Sequence, residues 1–76
     1  MTQEAIKTHM METSEEFRRL VAQHAEHSQK LEALSARAYL TAQEQLEEVQ
    51  LKKLKLRLKD QMQQMMDRYR AKQQPV

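Results

Sequence analysis

The fold is decided by the stretch Leu51-Lys-Lys-Leu-Lys-Leu-Arg-Leu-Lys-Asp-Gln-Met62, which lies within a helical pattern that begins at Thr41. No Gly or Pro interrupts this pattern before Pro75, so no residue in it is expected to break a helix. When residues are placed about 100° apart around a helix axis, the apolar side chains share a sector of about 120°. These side chains are Leu51, Leu54, Leu58, Met62, Met65, Met66 and Tyr69. The pattern therefore predicts one long amphipathic helix with a basic outer surface.

The composition restricts the classes to which the chain can belong. Its 76 residues are enough for one domain at most, and the absence of Cys excludes a disulfide framework and a thiolate zinc site. Strong helix formers dominate and charged residues make up 32%, a composition typical of all-α and coiled-coil proteins. No apolar run approaches the roughly 20 residues of a membrane span, and the N-terminal segment has no signal-peptide core. We therefore expect an all-α cytoplasmic protein without a membrane span.

Two capping-box patterns divide the chain into helices. In both Thr13-Ser14-Glu15-Glu16 and Thr41-Ala42-Gln43-Glu44, a Thr precedes a Glu by three residues, which predicts a helix start. We predict a single domain, residues 1–76, with a short helix at about 3–11, a first long helix at 14–36, a second long helix at 42–72 and a tail at 73–76. One unbroken helix is the alternative, because no Gly marks a turn. The short helix either continues the first long helix or folds back.

The first long helix carries an apolar stripe that matches the stripe of the second. It consists of Phe17, Leu20, Val21, His24, Ser28, Leu31 and Leu34. Each stripe is buried if the two helices pack antiparallel, as a coiled-coil-like two-helix hairpin. Ile6 and Met10 of the short helix are then expected to cover the surplus of the longer second helix. Because such a hairpin has a small core, we expect it to oligomerise into a bundle.

The order of residues in both long helices resembles that of the small YdcH-like family of bacterial proteins. The resemblance is carried by Phe17-x-x-Leu20, His24, Leu31 and, above all, Val49-x-Leu51-Lys52-Lys53-x-Lys55-Leu56-x-Leu58-Lys59-Asp60-x-Met62. It extends over about 14–66. The chain departs from the family's pattern at His27 and Ser28, and it lacks the Gly that members often carry in the turn. The resemblance implies a helical hairpin and a bacterial source, and it supplies no substrate, cofactor or catalytic residue.

Two aliphatic residues of the second long helix lie outside its core stripe. Val49 and Leu56 are seven residues apart and point away from Leu51. With the neighbouring lysines they form a candidate partner-binding surface, which consists of Val49, Lys52, Lys53, Leu56 and Lys59. The partner is expected to be a second copy of the chain, another protein, or both. The alternative is that the two aliphatics are scattered surface residues.

Other classes of function find little support in the sequence. No Cys nucleophile and no Gly-rich phosphate loop are present, so we expect no enzyme activity, no cofactor and no small-molecule substrate. His24 and His27 share a helix face, but a metal site needs further ligands, and we predict none. We therefore predict a non-catalytic protein–protein interaction or oligomerisation module. The alternative is weak nucleic-acid binding by the basic face of the second long helix, where five of the eight residues 52–59 are Lys or Arg.

Overall fold

The computed structural model describes residues 2–73, and within that range it contains three α-helices and no strand. The helices are α1 (Gln3–Thr13), α2 (Glu15–Ser35) and α3 (Ala42–Gln73). The non-helical connector 36–41 excludes the alternative of one unbroken helix. Gln73, the first residue of the predicted tail 73–76, is helical, and the remainder of that tail lies outside the described residues.

Helices α1 and α2 are separated by the single residue Ser14. Its backbone is extended, with φ −120° and ψ 112°, so the chain changes direction there. The Ser14 hydroxyl oxygen caps α2 by accepting a hydrogen bond from the Phe17 amide at 3.1 Å. The sequence-based assignment of this cap to Thr13 is wrong, because Thr13 is the last residue of α1 and its hydroxyl donates to the His9 carbonyl at 2.8 Å. Helix α1 therefore ends two residues beyond the predicted range.

The start of α3 is fixed by the capping box that the sequence predicts. The Glu44 amide donates to the Thr41 hydroxyl oxygen at 3.1 Å, and the Thr41 amide donates to a Glu44 carboxylate oxygen at 3.0 Å. Both halves of the reciprocal pattern are present, so this prediction is confirmed. The second carboxylate oxygen of Glu44 pairs with Arg37, which ties the connector to the start of α3.

The main core lies where all three helices meet. It is a cluster of Ile6 and Met10 from α1, Phe17 from α2 and Met66 from α3, in which Phe17 has no exposed surface. This confirms the prediction that Ile6 and Met10 cover part of α3. Since Phe17 stands near the start of α2 and Met66 near the end of α3, these opposite ends of the two long helices pack together.

Helix α1 folds back instead of continuing α2. The Gln3 side-chain amide donates to the Gln63 side-chain oxygen at 3.0 Å, and the ring of His9 lies 4.9 Å from the ring of Tyr69. Successive positions of α1 thus meet successive positions of α3, so the two helices run in the same direction. The open choice between an extended and a folded-back segment is settled by these contacts.

The apolar stripe of α3 is buried less completely than the sequence predicts. Leu51 and Met66 are buried and Leu58 is half-buried, but Leu54 is 42% exposed. Leu54 stands at one edge of the stripe, whereas α1 packs beside Met66 at the other edge. No helix covers the Leu54 edge, so the assignment of Leu54 to the core is wrong. In the described part of the chain, none of the helices has the length and apolar character needed to cross a membrane.

Candidate functional site

The outer side of α3 carries a row of exposed aliphatic residues. Leu46 is 58% exposed, Val49 47% and Leu56 60%, and Lys53 between them is also exposed. The spacings of 3, 4 and 3 residues place all four on one side of the helix, as in the contact stripe of a coiled coil. We call Leu46, Val49, Lys53 and Leu56 the outer seam. The sequence-based site omitted Leu46, although its position three residues before Val49 was a readable signal.

A second uncovered surface lies beside α1. Helix α1 has 11 residues, whereas α2 has 21 and α3 has 32, so α1 covers only part of the face that the two long helices share. Beyond Gln3 the uncovered part forms a groove of about 750 Å³. We call it the lysine groove. Its sides beyond α1 are formed by His24 and Leu31 of α2 and by Lys52, Lys55, Leu56 and Lys59 of α3.

The structure divides the predicted partner-binding residues between these two surfaces. Lys52, Leu56 and Lys59 line the lysine groove, whereas Val49 and Lys53 do not. The reason is angular: Lys52 and Lys59 lie on the flank of α3 that faces α1, and Val49 and Lys53 lie farther round the helix. Leu56 stands at the boundary and belongs to both surfaces.

The basic run of α3 is divided in the same way. Lys52, Lys55 and Lys59 line the groove, Lys53 lies in the outer seam, and Arg57 projects from a further side of the helix. The charges therefore do not form one strip along which a phosphate backbone could lie. Nucleic-acid binding by this face remains an alternative prediction from the sequence.

The lysine groove combines an apolar floor with cationic sides. Its floor includes Val21 and Met62, which are half-buried. Four lysines line the groove, and Glu4 is the one acidic side chain that does so among residues 2–73. The groove therefore presents a basic rim around an apolar surface.

The pKa of His24 reflects the positive charge around the lysine groove. Burial lowers the pKa of His24 below its ordinary value, and Lys55, Lys59 and Lys7 lower it further because each positive charge disfavours the imidazolium. His27 adds a smaller effect in the same direction. The neutral form of His24 is thus favoured in the folded chain.

His24 and His27 of α2 have no third metal-ligating side chain beside them among residues 2–73. Across the described residues, no group of three His, Asp or Glu side chains is placed to hold a metal ion. The Nδ1 atom of His27 is shielded from solvent and has no hydrogen-bond partner in the part of the chain that the structure describes.

A family model matches the chain. The match covers residues 17–66, which include most of α2 and the part of α3 that carries the outer seam and the cationic side of the lysine groove, and exclude α1. The model is described as a protein of unknown function (DUF465). No curated protein and no solved structure matches the chain. Because the matched residues make up more than half of its length, the chain belongs to DUF465, the YdcH-like family of small bacterial proteins of unknown function.

Proposed function

We propose that the protein is a non-catalytic interaction module that works by helix–helix contact through the outer seam. The observation that carries this proposal is the exposure of Leu46, Val49 and Leu56 at coiled-coil spacing on α3. Full burial of each such side chain contributes about 1.5–3 kcal/mol. The row spans the eleven residues 46–56, a rise of roughly 15 Å at 1.5 Å per residue, which is long enough for a second helix to pack along it.

The supporting frame is an antiparallel, coiled-coil-like hairpin of α2 and α3. Phe17 near the start of α2 packs with Met66 near the end of α3, and a six-residue connector joins the opposite ends. Short connectors of this kind are usual between antiparallel helices. With the frame held in this way, the outer seam is presented on one continuous helix and its side chains need little reordering before they meet a partner.

A second copy of the chain is the first partner that we propose. In a symmetric pair the same patch is used twice, so both outer seams are buried in one contact. A small helical domain gains core in this way, because its own apolar burial is limited. A helix of another protein is the second partner, and the experiment below separates the two. The cytoplasmic location stays a prediction.

The test is the substitution Val49→Glu, which places a charge in the centre of the outer seam without touching the lysine groove. We expect Val49→Glu to lower the order of the oligomer, because burial of an unpaired carboxylate is costly. Sedimentation velocity over a range of protein concentrations measures this change, and circular dichroism checks the helix content. Gln50→Glu is the matched control, since Gln50 is exposed, adjacent and outside the seam.

The two partners give different results. If the partner is a second copy, the native chain sediments as an oligomer, Val49→Glu as a smaller species and Gln50→Glu as the native chain. If the partner is another protein, the purified chain is a monomer, and crosslinks from the native host are lost in Val49→Glu alone. Equal sedimentation together with an equal set of crosslinked partners in all three chains would contradict the proposal.

A further inference from the structure

The lysine groove continues the surface on which α1 lies. Gln3, the first residue of α1, is hydrogen-bonded to Gln63, and the groove extends from there along α3 toward Lys52. On α2 it reaches from His24 to Leu31. The α2 side spans seven residue steps, roughly 10 Å, and the α3 side spans eleven, roughly 16 Å, which correspond to two and three turns of a helix. The uncovered space thus has the length of a short helix placed in line with α1.

The charges around the groove specify what kind of helix fits there. Lys7 stands at its α1 end, and Lys52, Lys55 and Lys59 follow along α3. Lys52 is partly neutralised by Glu48, which lies 3.3 Å away, whereas Lys55 and Lys59 have no such neighbour among the ion pairs of the described residues. The N-terminus of α1 opens on the same space and adds partial positive charge, which Glu4 in the first turn of α1 offsets in part, so the excess of positive charge comes from the lysines. A helix with acidic flanks is complementary to this rim.

A second copy of the chain fits the lysine groove poorly. In a two-fold contact through the groove, Lys52, Lys55 and Lys59 of one copy would face the same lysines of its partner. Like charges held together across an interface oppose association. The apolar floor therefore calls for an apolar stripe from a different protein, and the rim calls for acidic residues beside that stripe.

We propose that the lysine groove binds an acidic amphipathic helix of another protein, in line with α1 and against both long helices. This inference rests on the proposed function, since it assigns a partner of defined chemistry to a helix–helix module. The bound helix places its apolar stripe on Leu31, Leu56 and Met62 and its acidic flanks beside Lys55 and Lys59. It completes over the connector half of the molecule the three-helix packing that α1 supplies over the other half.

The probe is a synthetic helical peptide of about 18 residues with Leu on one face and Glu on both flanks. A second peptide carries Lys in place of every Glu. Binding to the full chain is measured by fluorescence anisotropy at roughly 0.1 M salt, where the screening length is about 10 Å. We expect saturable binding of the acidic peptide and no saturable binding of the basic one.

Two double variants locate the site. Lys55→Gln with Lys59→Gln removes two positive charges from the groove, and Gln is a good helix former. Arg57→Gln with Arg68→Gln removes two charges from exposed positions outside it. We expect the first pair to weaken binding of the acidic peptide about tenfold, as the loss of two charge contacts at a rim does, and the second pair to weaken it by less than about twofold.

Several results would overturn the inference. The first is equal weakening of peptide binding by the two double variants, and the second is equal binding of the two peptides. The third is absence of saturable binding of the acidic peptide. The fourth is that the same lysines bind a short DNA duplex or an anionic phospholipid vesicle more tightly than they bind the acidic peptide. A change in sedimentation of the pure chain caused by Lys55→Gln with Lys59→Gln would reassign the groove to self-association. Failure of the peptide test leaves the Val49→Glu test of the outer seam unaffected, because Val49 does not line the groove.

Discussion

His24 couples the protonation state of the protein to its folding. Burial and three nearby lysines lower its pKa in the folded chain, whereas the unfolded chain takes up the proton near the ordinary value of 6.5. The unfolded state therefore binds more protons as the pH falls below that value. The stabilising effect of neutral His24 is complete above the unfolded pKa and is lost as the pH falls toward the folded one.

We accordingly expect the melting temperature of the chain to fall between about pH 7.5 and about pH 5.5, measured by circular dichroism. In His24→Gln the fall should be smaller. Gln23→Ala is the control, since Gln23 is an exposed and non-titrating residue of the same helix, and this variant should keep the native pH dependence. Identical pH profiles for the native chain and His24→Gln would contradict this account.

At the level of single residues, the sequence predicts burial well where a position is central to its stripe. Phe17, Leu51 and Met66 are buried as the helical periodicity requires. Leu54 is not, because a position at the edge of a stripe is covered only if a neighbouring helix lies on that side. The side on which α1 packs is a property of three-dimensional arrangement and cannot be read from the periodicity of α3.

Among the elements, the boundary between α1 and α2 depends on one hydroxyl group. Ser14 and Thr13 are adjacent and chemically alike, yet only Ser14 bonds the amide of Phe17 at the start of α2. We expect Ser14→Ala to lower the free energy of unfolding by about 1 kcal/mol, as the loss of an N-cap does, and Thr13→Ala to change it by less than about 0.5 kcal/mol. Urea unfolding of the two variants measures both values. If Thr13→Ala lowered the free energy of unfolding more than Ser14→Ala does, Thr13 and not Ser14 would be the residue that caps α2.

The helices themselves were largely predictable, and their limits less so. Thr41 and Glu44 fit one cap pattern and form it in both directions. At Thr13-Ser14 the residue with the capping-box spacing to Glu16 is Thr13, yet Ser14 is the residue that caps α2. The choice is made by the turn that brings Ile6 and Met10 onto Phe17, since an extended residue is required at that point.

Over the whole molecule, stability is unevenly distributed. Among residues 2–73, four of the five buried apolar side chains, Ile6, Met10, Phe17 and Met66, form one cluster, and the fifth, Leu51, is buried nearer the connector. We expect Ile6→Ala to lower the free energy of unfolding by about 2–4 kcal/mol, because Ile6 is 1% exposed and its loss leaves a cavity. Tyr39→Ala, at a position that is 90% exposed, should change it by less than about 0.5 kcal/mol. Chemical denaturation followed by circular dichroism gives both values. Comparable losses of unfolding free energy in the two variants would show that the core cluster does not supply most of the stability.

The two candidate surfaces were predictable to different degrees. Val49 and Leu56 were identified from their angle around α3, which needs no knowledge of other helices. The lysine groove was not, because it exists only where α1 stops short of covering α2 and α3. The approximate length of α1 can be predicted from the sequence, but the position at which α1 packs against α2 and α3 cannot.

The unequal core has a mechanical consequence for a molecule measuring 53 × 20 × 19 Å. The end of the long helices that packs against α1 holds most of the buried side chains, whereas the end joined by the connector holds few. Small changes in the distance between α2 and α3 near the connector therefore disturb few buried atoms. Bound helices of slightly different diameter can be accommodated there at a small cost in free energy. When a partner helix is bound, the parts of α2 and α3 next to the connector should exchange their amide hydrogens more slowly than in the free chain.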